Sequence, residues 1–308
     1  MKWTHLLFAL ATGLACDAAR PQTPGVQQTG TIRDPAAGEI SGIAPSLRQP
    51  DAFWAVNDSD NPPVLYLIGL DGVLRETWTV EDVVNDDWED LGWMRRRGES
   101  FLFIADVGDN GANRNFVRIH LIRSEDLSAD ESPEPLKVHP VYTFVFIYTD
   151  GARDCEAVSY DSEKDRFLLV SKRTKPPVVY ALPVHPIEKR GLRKAVRIAG
   201  LAGFPNPADM ENPIQAVLAD RAMQPTAMDF SPVLDRAAVL TYGPLLVYSR
   251  PVGTADWTAA LRTNPEHISL PFMRQSESVC FSEDGKFLIV TTENLPAPIF
   301  RVSLQEHP

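Results

Sequence analysis

Short apolar runs separated by polar turns fill the chain from residue 29 onward, and no segment keeps a helical period long enough for an amphipathic helix. Five segments follow one template: a short opening strand, a turn, a strongly apolar strand, a polar loop and a third apolar strand. The openings are Ser41-Gly-Ile-Ala, Glu89-Asp-Leu-Gly, Glu156-Ala-Val-Ser, Thr226-Ala-Met-Asp and Glu277-Ser-Val-Cys. Second strands are predicted at 53–57, 101–106, 167–171, 237–241 and 287–291. Third strands fall at 64–70, 116–123, 178–183, 245–250 and 299–304, and fourth strands at 75–80, 141–148, 194–201 and 267–271. The second strands carry Phe, Val, Leu and Ile on both faces, the mark of a sheet covered on both sides.

This self-similarity predicts an all-β fold, a β-propeller of four-stranded blades. Consecutive openings lie about 50 or about 70 residues apart, against roughly 40–50 for four strands and their turns. The two longer units carry insertions at 124–137 and 203–224. Five blades are counted. A sixth would follow if 203–224 hid a degenerate blade, although Pro205, Pro207 and Pro213 favour a loop with a single helical turn. The last repeat has no fourth strand of its own. Residues 29–33 can supply it, closing the ring and removing an open sheet edge.

The 308 residues are 44% hydrophobic and 23% charged, enough for a full core, with a net charge of -11. That charge argues against nucleic acid and anionic membranes as main partners. The one dense basic stretch, Arg95-Arg96-Arg97, precedes Gly98 in a turn. At the N-terminus, Lys2 is followed by an apolar run from Leu6 to Ala15 and then small residues, the layout of a secretory signal. The run is shorter than the ~20 residues a membrane span requires. The expected organisation is a signal peptide at 1–15, a Pro- and Gln-rich tether at 16–28 and a single propeller domain at 29–308. Gly13-Leu14-Ala15-Cys16 resembles a bacterial lipobox, in which Cys16 would be lipidated; the alternative is plain secretion. An exported monomer is expected, periplasmic or at the cell surface, touching membrane only through an anchor at Cys16. Cys155 and Cys280 lack metal-ligand spacing and are expected as buried free thiols, with a mutual disulfide as the alternative.

Propeller geometry sends the start of each first strand and the end of each second strand to one face, around the central channel. Glu89, Glu156 and Glu277 would then meet at the channel mouth. Asn57 and Asp106 end second strands in two matching loops, Asn57-Asp-Ser-Asp-Asn and Asp106-Val-Gly-Asp-Asn. Three carboxylates in one narrow channel repel, so something must offset them. A bound cation is one answer, with Glu89, Glu156, Glu277, Asn57 and Asp106 as ligands; an oxygen-only set points to Ca²⁺. The other answers are bonds to neighbouring blade backbones or to Lys172 and Arg173, or a solvated acidic rim. Arg153, Lys172 and Arg173 could hold an anionic ligand group, or could pair with Asp154 and Glu156. Glu156 and Asp154 are the candidates for a general base or nucleophile. Trp54, Trp88 and Trp93 are expected to pack between blades rather than to stack on sugars. No serine-nucleophile, zinc-protease or phosphate-loop motif is present.

The phrases SGIAPS with NDSDNPP, DWEDLG with IADVGDN, GARDCEAV with LLVSKR, and SESVCFSEDGKFL resemble a largely uncharacterised family of exported bacterial propeller-like proteins. The fourth repeat departs most, with Asp229-Phe-Ser-Pro-Val-Leu where that family has a DISPDG-like turn. The resemblance implies a secreted or lipid-anchored propeller and no assigned reaction. Calcium-dependent propeller lactonases, phosphotriesterases and phytases share the architecture and the acidic channel, an analogy of fold. Two functions follow as expectations. One is a binding module for an envelope protein, a glycan or a small anion, with an acidic Ca²⁺-binding channel. The other is a Ca²⁺-dependent hydrolase of a small anionic ester, phosphoester or lactone.

Overall fold

The computed structural model describes residues 25–128, 135–188, 190–204, 213–233, 235–250 and 256–304. The expected signal peptide, Cys16 and most of the expected tether lie outside the described residues. The chain enters on β1 (Val26–Ile32) and then lays down five blades. The first holds β2 (Ile40–Pro45), β3 (Ala52–Asn57), β4 (Val64–Gly69) and β5 (Leu74–Val80). The second holds β6 (Trp88–Arg96), β7 (Glu99–Asp106) and β8 (Val117–Arg123); its insertion adds β9 (Lys137–Val138) to the outer edge of the first blade, and β10 (Tyr142–Tyr148) completes it. The third comprises β11 (Cys155–Asp161), β12 (Arg166–Ser171), β13 (Val178–Pro183) and β14 (Arg193–Gly200). Helix α1 (Pro213–Ala222) leads into the fourth: β15 (Pro225–Phe230), β16 (Arg236–Thr241), β17 (Leu245–Ser249), the short α2 (Trp257–Ala260) and β18 (Glu266–Ile268). The fifth is β19 (Ser276–Phe281), β20 (Phe287–Thr292) and β21 (Ala297–Ser303), with β1 antiparallel to β21 as its outer strand.

Within each blade the strands pair antiparallel in sequence order, apart from the closing β1 and from β9, which pairs parallel with β5. The inner strands β2, β6, β11, β15 and β19 touch in cyclic order, and β19 returns to β2. The molecule is therefore a closed five-bladed β-propeller. The described part of 203–224 forms α1 and no sheet, which removes the sixth-blade alternative. At ten residues α1 is longer than the single turn expected there. Pro213 is its first residue, where the missing N–H would have had no helical partner anyway. The ring-closing strand also begins earlier than residue 29. Val26 is buried and pairs with Val302, so residues 26–28 belong to the fifth blade and not to a tether. An uncovered β21 edge supplies the reason, because it offers those residues a full set of ladder bonds.

Aromatic side chains fill the space between blades. Phe103 of the second blade meets Phe167 of the third edge-on at 5.2 Å. Trp54 and Trp88 are buried, and Trp93 donates to the Pro45 carbonyl of the first blade at 2.7 Å. Cys155 and Cys280 are buried free thiols, without the alternative disulfide.

Two carboxylates tie the channel shut below its mouth. Asp90, fully buried on β6, accepts from the Leu91 amide at 2.9 Å, the Val158 amide at 2.7 Å and the Met228 amide at 3.2 Å, linking blades two, three and four. Asp229 accepts from the Phe230 and Phe281 amides, each at 2.8 Å, linking blades four and five. Gly42 completes the closure, since a Cβ there would lie 2.6 Å from the Leu91 nitrogen.

Candidate functional site

Ser41, Glu89, Glu156, Thr226 and Glu277 are each the second residue of an inner strand, and in every blade the ladder slips at that residue. A β-bulge leaves the residue unpaired and re-aims its side chain. Five bulges in register thus point five side chains at the rim. Two of them brace the ring: Ser41 Oγ donates to the Trp88 carbonyl at 2.6 Å, and Thr226 Oγ1 to the Ser276 carbonyl at 2.7 Å. The three glutamates instead face a cavity of about 440 Å³, lined also by Asp58, Lys172, Arg173, Arg221, Tyr242 and Gln275.

The glutamates are balanced unequally. Lys172 Nζ is hydrogen-bonded to Glu156 Oε1 and donates to Tyr242 Oη at 2.8 Å, and Tyr242 Oη donates to Glu277 Oε1 at 2.9 Å. Burial works against the Lys172 charge, but Glu156 and Glu277 outweigh it and hold the ammonium above the ordinary lysine value. Burial, opposed by Lys172 and the Tyr242 bond, pushes Glu277 up to about 7. Arg173 reaches Asp154 at 2.6 Å and also binds Asn110. Asp154 accepts the Asp109 amide as well, at 3.1 Å.

Glu89 has none of this. It is 6% exposed, and its carboxylate has no hydrogen-bond partner among the described residues. Burial, with Glu156, Asp58 and Asp87 nearby, drives its pKa well above the usual carboxylate range. Asp87, with a buried and unpartnered Oδ1, is pushed up to about 7 by burial and by Asp58. Oxygens of Asp58, Asp87 and Glu89 lie within 4.8 Å of one another, and so do oxygens of Glu89, Asp154 and Glu156. These acidic groups could hold a metal ion, and Glu89 is common to both. Gly108 abuts the first group: a Cβ there would sit 2.2 Å from Glu89 Oε1 and 2.5 Å from Asp87 Oδ2. The glycine of the Asp106-Val-Gly-Asp-Asn loop keeps that space clear.

The structure brings Glu89, Glu156, Glu277, Asp154, Lys172 and Arg173 to one mouth. Other predicted residues go elsewhere. Asp106 is taken by Arg114 at 2.7 Å and Arg118 at 3.1 Å, and it accepts the Asp87 amide at 3.2 Å. It braces the loop and lies outside both acidic groups. Asn57 donates to the Ala36 carbonyl at 2.9 Å, while its Oδ1 is buried and without a hydrogen-bond partner. Arg153 turns outward to Tyr180 at 2.9 Å and to Asp150 at 3.2 Å, away from the mouth and from the expected partners Asp154 and Glu156. Asp87 was not singled out from sequence. It lies two residues before Glu89 in the acidic Asp86-Asp87-Trp88-Glu89-Asp90 run, which was the available signal. Asp58 was visible only as part of a loop.

No family model matches the chain, and no curated protein does. Solved structures with a similar course include a putative 6-phosphogluconolactonase from Bacteroides uniformis, with 14% identity over 87% of this chain and 68% of that one and a TM-score of 0.41. A β-propeller domain from Myceliophteria thermophila has 14% identity over 87% and 65%, with a TM-score of 0.40. A gluconolactonase from Xanthomonas campestris has 9% identity over 86% and 72%, with a TM-score of 0.43. Likeness at this level says nothing about activity; the strand pairing described above defines the propeller.

Proposed function

We propose that the channel mouth is a Ca²⁺-dependent site for a small anionic molecule, carried by a propeller that works outside the cytoplasm. The observation that supports it most is Glu89, a 6%-exposed residue whose carboxylate has no hydrogen bond among the described residues, beside Asp58 and Asp87, whose Oδ1 is buried and unpartnered. A buried charge left alone is costly, and a hard cation with oxygen ligands offsets it. The ion belongs with Asp58, Asp87 and Glu89, because Lys172 and Arg173 already balance Glu156 and Asp154. Arg173 and Arg221 on the cavity wall suit an anionic group of the ligand. A concave mouth of about 440 Å³ falls within the ~300–1,000 Å³ of small-ligand pockets, which favours a small molecule over a protein or glycan surface.

Glu156 favours a second reading, the hydrolase. Its Oε2 is buried and unpartnered, while Lys172 holds the other oxygen. A cation next to it would supply Lewis-acid polarisation of a ligand oxygen. Burial raises the Glu156 pKa well above the usual carboxylate range and Lys172 opposes it; with a cation alongside to favour the charged form, Glu156 Oε2 would be the proton acceptor for water.

The test is metal analysis and thermal unfolding of the mature domain in chelator and then in Ca²⁺. The expected result is a stabilisation of about 2.7 kcal/mol at a hundredfold excess over Kd, abolished by Asp87→Asn. Unchanged melting with no bound metal would sink the cation site. Turnover of phosphoesters or lactones that is lost in Glu156→Gln would select the hydrolase; ligand binding without turnover would select the binding module.

A further inference from the structure

A second cavity of about 230 Å³ runs beneath α1 and adjoins the mouth. The two share Lys172, Arg173, Asp220 and Gln224, so the smaller one opens from the anion-facing side of the larger. Beyond that junction the wall changes character to Pro176, Pro177, Phe204 and Met223. Phe204 and Met223 pack against the apolar core between the third and fourth blades, which holds this wall in place.

Of the polar groups around the side cavity, Lys175, Asp220 and Thr174 are already engaged. Lys175 Nζ is paired with Asp220 at 2.7 Å. Thr174 Oγ1 accepts the Val178 amide at 3.1 Å and is hydrogen-bonded to Ser171. Gln224, at the junction, is the polar side chain left without a hydrogen bond among the described residues that line it. A hydroxylated or charged group moved against Pro176, Pro177, Phe204 and Met223 would lose water and find no partner on those four side chains. An apolar group would lose nothing. An apolar cavity of about 150 Å³ is enough to take benzene, so there is room for a phenyl ring or a short alkyl chain.

We infer that the ligand has two chemically different ends, an anionic group held at the rim and a small apolar arm seated in the side cavity beneath α1. This rests on the anion site proposed above and adds the class of molecule: an alkyl or aryl phosphoester or carboxylate rather than a free sugar acid or inorganic phosphate.

Phosphonates test it, because their carbon–phosphorus bond resists hydrolysis. Binding of methyl-, butyl- and phenylphosphonate to the whole domain would be measured by calorimetry in Ca²⁺. Affinity should rise along the series by about fourfold for each methylene that becomes buried. Met223→Gln, similar in size and neutral, should erase that rise and leave methylphosphonate binding unchanged. Phe204→Ser gives the same reading from another wall residue should the first variant not fold. A flat series with methylphosphonate still bound would overturn the apolar arm and leave the anion site standing. So would a rise that survives both variants. No phosphonate binding at all would remove the anion site and the arm together.

Discussion

Two groups of buried and half-buried acids lie side by side at the channel mouth and share Glu89, yet their charge is handled in different ways. On the side of the third blade, Glu156 and Asp154 are matched by Lys172 and Arg173, and Tyr242 carries the network on to Glu277. On the side of the first two blades, Asp58, Asp87 and Glu89 face one another with no basic side chain hydrogen-bonded to any of them among the described residues. In the first arrangement each acid has a basic or hydroxyl partner, although Glu156 Oε2 is left open. The second becomes balanced only when protons or a cation arrive. Acidity at a propeller mouth is thus not one property, because the same residue types serve as scaffold on one side and as a receptor on the other.

The largest effect should come from the balanced side. Lys172→Met strands Glu156 and Glu277, and urea unfolding should show a loss of about 3–5 kcal/mol. Glu89→Gln removes a charge that has no partner, so the chelator-treated protein should gain on the order of 1 kcal/mol while its response to Ca²⁺ disappears. Opposite signs for two residues in one cavity would sharpen the contrast; losses of equal size in both would break it. Gly108→Ala should hardly move the melting temperature, because only carboxylate ends need to give way. Displacing them should weaken Ca²⁺ binding by about tenfold or more in a calorimetric titration, about 1.4 kcal/mol.

The smallest effect is the pH dependence. Asp87 rises from 3.8 to about 7 and Glu277 from 4.5 to about 7 on folding. A group with a raised folded value holds its proton longer in the native state, so its stabilisation is full at low pH and lost as pH climbs through the folded value. In chelator, the melting temperature should therefore fall between pH 5 and about pH 8. Ca²⁺ should remove the Asp87 part of that fall, because ligation releases the proton, and Asp87→Asn should remove the same part. A melting temperature that rises over this range in chelator would show that the acids are already matched.

The repeat was legible because blades are local. Alternation, turn residues and a doubly apolar second strand recur within each unit, so the strands of all five blades could be placed from the chain alone. The rim glutamates were legible for the same reason, since the position of a residue within its blade decides which end of the channel it reaches. The early start of β1 was not, because Val26-Gln-Gln carries no strong strand pattern and pairs only with an edge formed by the far end of the chain. Helix α1 was obscured by its prolines.

The choice of partner for each charge lay beyond the pattern. Asp106 matches Asn57 in its loop, yet Arg114 and Arg118 claim it. Arg153 sits beside Asp154 in sequence and pairs with Asp150 and Tyr180 instead. Asp90 carries the same charge as Glu89 and is held by three amides from three blades. Hydrophobic periodicity acts over a few residues, and through it the chain alone specified blades, ring and channel. Ion pairing is decided by angstroms between residues distant in sequence, so only the assembled ring settled which acids are paired and left Glu89 without a hydrogen bond among the described residues.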